Sequence, residues 1–473
     1  MEPKGEEPSA AAPTGGSPGG AATPRPLGAA RRARFGPWGA APATILTLVV
    51  LVDAIDQGIV PGVLPLLQDD WGFSDLWAGA IPTAALLIGF LALVPAGWMA
   101  DHLVRVRVLA VVVASWALLT TASGLATAFW MFFVVRMALG AAAHVDNPVS
   151  SALIADYYPP RLRGRVFAVQ RLAFVVGTGV GILVGGAVGE ALGWRWAFLV
   201  MVIPGLAIAA ACVTLREPRR GALDVEAPST PESPAEGATA ILEEIELDAE
   251  RPERAGGVGA YLRQFVDVMH IPTFRSLAVG VTVSFLGFNG IAFWLPTFFQ
   301  RDHDLSEATA GAITALVAVG AGLVGTWLGG SLGDRREARQ PGGRIELTFV
   351  TQLVGAIFLA VGFAVPSLPL MILAVLIGAA LFSIGFPNLA AATADILPAH
   401  RRGTGFAMFA FLLTLGSALG PLVVGAVSEA SGSLTVAIVV AVLPALPGAF
   451  VLRRAAGTFA SDAAVARDAA PRD

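Results

Sequence analysis

Residues 148–168, PVSSALIADYYPPRLRGRVFA, return at 387–407 as PNLAAATADILPAHRRGTGFA. Pro148, Ala155, Asp156, Pro159, Arg163, Gly164 and Phe167 are answered by Pro387, Ala394, Asp395, Pro398, Arg402, Gly403 and Phe406, each about 239 residues on. Gly177 and Gly181 extend the register as Gly416 and Gly420, and Gly186-Ala187-Val188 as Gly425-Ala426-Val427. A register kept over so many polar and glycine positions marks two copies of one unit.

The unit is membranous. The chain of 473 residues is 55% hydrophobic and 14% charged, with a mean hydropathy of +0.70, too apolar for a soluble globular protein. Apolar runs of roughly 20 residues, enough to cross a bilayer, fall near 43–67, 77–100, 106–126, 129–155, 165–190 and 195–215. A second set falls near 275–299, 308–332, 346–366, 370–396, 404–428 and 433–452. The predicted fold is an all-α membrane protein with 12 transmembrane helices in two six-helix, pseudo-symmetric halves.

Its predicted parts are a disordered cytoplasmic tail at 1–40, a first bundle at 41–215, a cytoplasmic linker at 216–273, a second bundle at 274–454 and a tail at 455–473. The linker carries Pro218, Pro228, Pro231 and Pro234 and an acidic patch from Glu243 to Glu250. It ends in a helically spaced surface segment, Tyr261–Met269. Arginines at alternate span ends, such as Arg105, Arg107, Arg161, Arg163, Arg335 and Arg336, put both termini and the linker in the cytoplasm of a cell bearing the protein in its plasma membrane. The single cysteine, Cys212, excludes an intrachain disulfide framework. No phosphate-cradling GxxxxGK and no HExxH set is present, so ATP-driven pumping and metal hydrolysis are not expected.

Charges inside spans are costly, at least about 2.5 kcal/mol each on insertion scales, so each needs a cavity, a proton or a partner. The apolar residues on either side of Asp53 and Asp56 are too few to cross alone, which puts both acids in the middle of the first helix. Three positions apart, they share a face. Asp56 either does this chemistry or serves as a helix-packing hydrogen bonder. Arg136, about eight residues into the fourth span, is its natural partner, with Ala143 and Asn147 on the same face and His144 and Asp146 beside it. His144 is either a proton relay or a neutral ring bonded to Asp146. Asn289 and Asn388 either line a cavity or hold helices together. Phe285, Phe288, Phe293, Trp294, Phe382 and Phe386 offer an apolar wall in the second half, where no charge matches Asp56 and Arg136.

Gly97-Trp98-Met99-Ala100-Asp101-His102, with Arg105 after it, and Gly330-Ser331-Leu332-Gly333-Asp334-Arg335 each close a span and open a loop. A glycine there permits close helix contact and a carboxylate can pair with arginines. They resemble the GxLaDrxGrr loop signature of the major facilitator superfamily, over about residues 40 to 455. A narrower resemblance is to the spinster family of lysolipid transporters. Val52-Asp53-Ala54-Ile55-Asp56-Gln57 is similar to that family's FxNYxDR, and Arg136, Gly140 and Pro148 fit its RxxxGxGEAxxxxP pattern. Trp194-Arg195-Trp196 and Phe293-Trp294-Leu295-Pro296 resemble further segments of it. The family glutamate falls on Ala143, and its first-span Asn and Arg fall on Asp53 and Gln57.

The resemblance implies a monomeric, proton-coupled transporter of lysophospholipids or related amphiphiles, working by alternating access, with no enzyme activity, cofactor, metal or nucleic-acid partner. Asp56 takes the proton-responsive place, with Asp53, Asp146 and His144 as further coupling groups. Arg136, Asp56, Gln57, Asn147, Asn289, Phe293, Trp294 and Asn388 form the substrate set, and Gly97, Asp101, Arg105, Gly330, Asp334 and Arg335 the gating loops. A multidrug or small-metabolite exporter is the alternative, and a sensor or lipid scramblase on the same scaffold a third.

Overall fold

The computed structural model describes residues 38–219, 266–397 and 402–468. The first half runs α1 (Ala41–Trp71), α2 (Asp75–His102), α3 (Arg105–Gly124), α4 (Phe129–Tyr157), α5 (Pro160–Leu192), α6 (Trp194–Leu199) and α7 (Val202–Val213). The second runs α8 (Pro272–His303), α9 (Glu307–Glu337), α10 (Gly343–Gly362), α11 (Leu368–Ser383), α12 (Gly385–Asp395), α13 (Arg402–Ser431), α14 (Leu434–Val442) and α15 (Ala445–Asp468). Twelve spans among the described residues are long and apolar enough to cross a membrane.

Three of those spans are broken, α6/α7, α11/α12 and α14/α15, and each break falls at a proline or within three residues before one: Pro204, Pro387 and Pro444. A proline has no N–H and its ring clashes with the preceding turn, which interrupts the ladder there. Pro61, Pro65, Pro148, Pro296 and Pro421 lie inside continuous helices.

The tail expected from 455 is helical as far as Asp468. Ala455, Phe459, Ala463 and Ala466 are buried at helical spacing, and Asp462 accepts a hydrogen bond from the Thr273 amide. Hydropathy missed this because the segment is amphipathic. Of the expected surface helix, residues 266–269 are helical, and Tyr261 to Phe265 and the acidic patch lie outside the described residues.

Each half has its own apolar core, one around Phe132, Trp116 and Phe198, the other around Phe274, Phe299 and Phe382. Within each half, glycines bring two helices into backbone contact. A methyl group on Gly177 or Gly181 would meet the carbonyls of Leu51 and Ile55, and one on Gly416 or Gly420 would meet those of Thr282 and Leu286. The two contacts are equivalent, so α1 and α8 are counterparts, as are α5 and α13.

Among the described residues, the polar contacts between halves gather toward one end. Arg301 pairs with Asp75 at 2.9 Å and donates to Gln68 at 2.6 Å. Ser428 donates to Asp75 at 2.6 Å, Leu76 N–H to Glu429, Ala308 N–H to Glu190 and Thr83 Oγ1 to the Ala418 carbonyl. Leu64 and Ala78 of the first half join the second half's core at the same end. The arginine-rich ends of α3, α5 and α9 lie at the opposite end.

Candidate functional site

Asp56 is completely buried in α1 and Arg136 nearly so in α4. The guanidinium meets the carboxylate twice: Nη1 donates to Oδ1 at 3.3 Å, and Nη2 lies 3.0 Å from Oδ2. The second approach is an ion pair without hydrogen-bond alignment, which leaves Oδ2 formally unpartnered. Thr120 of α3 donates to Oδ1 at 3.0 Å, and Phe198 of α6 presents its ring 5.7 Å from the Arg136 Cζ. Four helices therefore converge on one charge pair. Removing either member of such a buried pair is strongly destabilising, because the survivor would be an uncompensated charge.

One turn from Asp56, Asp53 accepts from Gln57 Nε2 at 2.8 Å through one oxygen, while its Oδ1 is buried without a partner. Asp53 and Asp146 line one cavity of about 20 Å³, together with Ala143, Val113 and Trp116. The Trp116 Nε1 is also buried and unpartnered. A cavity of this size is large enough for a water molecule. Asp146 accepts from Ser150 at 2.7 Å.

His144 is not bonded to Asp146; its Nδ1 lies 2.8 Å from its own helix's Gly140 carbonyl, and its ring meets the edge of Phe90. Gln57 is exposed. Asn147, Gly97 and Asp101 are described only as helical residues.

The second-half members of the expected substrate set hold helices together. Trp294 is fully buried and donates Nε1 to the Pro421 carbonyl at 2.9 Å. Asn289 donates to the Ser417 carbonyl at 2.8 Å, and Asn388 to those of Gly329 at 3.1 Å and Ile384 at 2.8 Å. Each satisfies a backbone group of a neighbouring helix, which is what a buried amide or indole requires. Phe293 is half-buried, edge-on to Trp294, and touches both cores.

The loop motifs are ion networks. Arg105 pairs with Asp156 and Glu217 and donates to the Pro218 carbonyl. In the second half the hub is Arg344, within 3.7 Å of Asp334, 3.5 Å of Glu337 and 3.4 Å of Asp395. Arg335 is exposed. Gly330 faces open space, and the close helix contacts expected of it belong to Gly329 and Gly333, against Ile384 and Asn388.

Sequence reasoning missed Arg344, though it stands in the repeat register of Arg105. It also missed Thr120, Trp116, the Arg301–Asp75 latch, and Arg171. That last residue was visible as a cation past the Arg161–Arg165 cluster, inside an apolar run.

A family model for the Major Facilitator Superfamily matches residues 46–345 and 277–467. Protein spinster homolog 1 of Bos taurus is 25% identical over 410 residues, covering 81% of this chain and 72% of that protein. A gallate transporter of Pseudomonas putida is 28% identical over 413 residues, covering 86% and 89%. The crystal structure of a bacterial homolog to the human lysosomal transporter Spinster, inward-facing and unoccupied, superimposes with a TM-score of 0.75 at 23% identity, covering 90% of this chain and 98% of that one.

Proposed function

The chain belongs to the major facilitator superfamily, a family of secondary transporters and not of enzymes, and on that premise we propose that it carries lysophospholipids or related anionic amphiphiles, coupled to protons. The observation that carries this reading is the Asp56–Arg136 pair. While Asp56 is ionised, Arg136 is occupied. A proton on Asp56 frees the guanidinium for a substrate phosphate or carboxylate, and a substrate anion on Arg136 in turn favours proton uptake by Asp56. Such coupling is reciprocal by thermodynamic linkage. Asp53 or Asp146 stands in for the glutamate that Ala143 replaces; the cavity that both line supports this. His144, bonded within its own helix, has less support as a relay.

The arginine-rich ends are cytoplasmic by the positive-inside rule, with both termini on that side. The halves then meet at the outer end and part toward the cytoplasm, the inward-open arm of alternating access around a midplane site. The protein works as a monomer in the plasma membrane.

A second reading is favoured by the similarity to a gallate transporter: a small organic acid could use the same Arg136 without needing an apolar shelf. Proteoliposomes with an imposed pH gradient and a panel of lysolipids decide between them. Saturable, gradient-stimulated uptake that lysolipids compete and gallate does not supports the first reading. Competition by gallate alone replaces it with the second.

A further inference from the structure

Arg171 of α5 is exposed in the space between the halves. Its Cζ lies 5.3 Å from the ring centre of Phe174 on its own helix and 5.7 Å from that of Phe386 on α12 of the other half. Among the described residues it has neither a carboxylate partner nor a hydrogen bond. The buried arginines differ: Arg136 is held by Asp56 and Arg105 by Asp156 and Glu217. Arg453 also lies over a ring, Phe349, but ring and cation there belong to one half.

A guanidinium over ring faces is held more loosely than one in a charge-assisted, bidentate bond to a phosphate or carboxylate. Arg171 can therefore leave its rings for an anion and return when the anion departs. Beyond it the aromatic surface continues. Phe386 lies 4.7 Å from Phe285, Phe285 5.4 Å from Phe382, and Phe382 stacks on Phe288 at 4.6 Å. Phe386 and Phe288 are the half-buried rungs of this shelf. Arg136, by contrast, is 6% exposed and already neutralised, so it is not the first cation that an incoming anion meets.

We propose that Arg171 and Phe386 form an entry subsite for the anionic headgroup of the substrate, a phosphate or a carboxylate, with any acyl chain laid along Phe386 and Phe288. The subsite deepens the transport reading above and rests on it for the lipid tail, but not for the anion. Because it joins the two halves, an anion here displaces the guanidinium from the other half's ring before the midplane pair is reached.

The test is equilibrium binding to the purified full chain of three probes: lysophosphatidylglycerol, an uncharged monoacylglycerol of equal chain length, and benzoate. The wild type is expected to prefer the anionic lipid over the uncharged one, and Arg171→Ala to weaken the anionic lipid at least about tenfold while leaving the uncharged one unchanged. Arg171→Lys keeps most of the preference, and Phe386→Leu weakens both lipids. Unchanged anionic binding in Arg171→Ala, or equal loss of charged and uncharged lipid, overturns the subsite. Should the wild type bind benzoate and not the lysolipid, the lipid reading fails while an Arg171-dependent loss of benzoate binding keeps the anion subsite. A wild type that binds neither anion overturns both.

Discussion

The two halves share a frame and differ at its centre. Arg105 with Asp156 in the first half has Arg344 with Asp395 as its counterpart in the second, in one repeat register. The glycine contacts of α1 with α5 likewise reappear between α8 and α13. At mid-depth the correspondence stops. With Ile55 answered by Leu286 at the glycine contacts, Asp56 falls on Gly287, which packs against the Ala441 carbonyl. In the repeat register Val375 answers Arg136 and Gly385 answers Asp146. Duplication preserved what packs helices and ties loops; among the described residues, the buried charge pair at mid-depth belongs to the first half. The second half contributes aromatic bulk and a span broken before Pro387, where the first half keeps α4 continuous through Pro148.

The halves differ most at mid-depth, and substitutions there have the largest expected effect. Removing one charge, by Asp56→Ala or Arg136→Ala, strands its partner and should cost about 3–5 kcal/mol of stability. Installing apolar residues at both positions, Asp56→Ala together with Arg136→Val, the latter as at Val375 of the second half, should recover most of that loss, yet abolish substrate-coupled proton movement. Thermal unfolding in detergent and proteoliposome flux read the two effects separately. If the double variant transports normally, the polar centre is only packing.

The loop networks sharpen the contrast at a smaller scale. Arg105 is buried and multiply paired, so Arg105→Ala should cost about 3 kcal/mol. Arg344 meets carboxylates that are themselves partly exposed, the Asp334 side chain at 81%, and Arg344→Ala should cost about 1 kcal/mol. Equal losses in unfolding experiments would mean that the two networks are energetically equivalent, despite their different exposure.

Where the halves are alike, substitutions should act alike. Gly181→Ala and Gly420→Ala each drive a methyl group into a backbone carbonyl of the partner helix, an overpacking expected to cost about 1–3 kcal/mol. Melting shifts that differ widely between the two would break the equivalence of the α1–α5 and α8–α13 contacts. The smallest effect belongs to the exposed Arg195–Asp70 pair, where Arg195→Ala should change stability by about 0.5 kcal/mol or less.

What the sequence disclosed follows from how strongly a residue type constrains its surroundings. A charge within a span has few tolerable environments, so the partnership of Asp56 and Arg136 was legible from spacing alone, as were the duplicated unit and its repeated glycines, Gly177 and Gly181 with Gly416 and Gly420. Asn289, Asn388 and Trp294 were harder. A neutral polar group in a span is equally content facing a cavity or a neighbour's carbonyl, and which carbonyl is available depends on a helix far along the chain, such as Ser417 for Asn289. In the second loop motif the close contact falls on Gly329 and not on Gly330 for a related reason, since a shift of one residue turns a glycine by about 100° around the helix. The helical extension to Asp468 escaped a reading based on mean hydropathy because only one of its faces is apolar.

The proposed gating of Arg136 by the charge of Asp56 is isolated by Asp56→Asn, since asparagine keeps the size and the Thr120 contact while holding no proton to exchange. In proteoliposomes loaded with lysophosphatidylglycerol, the wild type should move lipid faster when a pH gradient is imposed. The Asp56→Asn protein should move it at a rate indifferent to that gradient, and an undiminished pH response in Asp56→Asn would contradict the account.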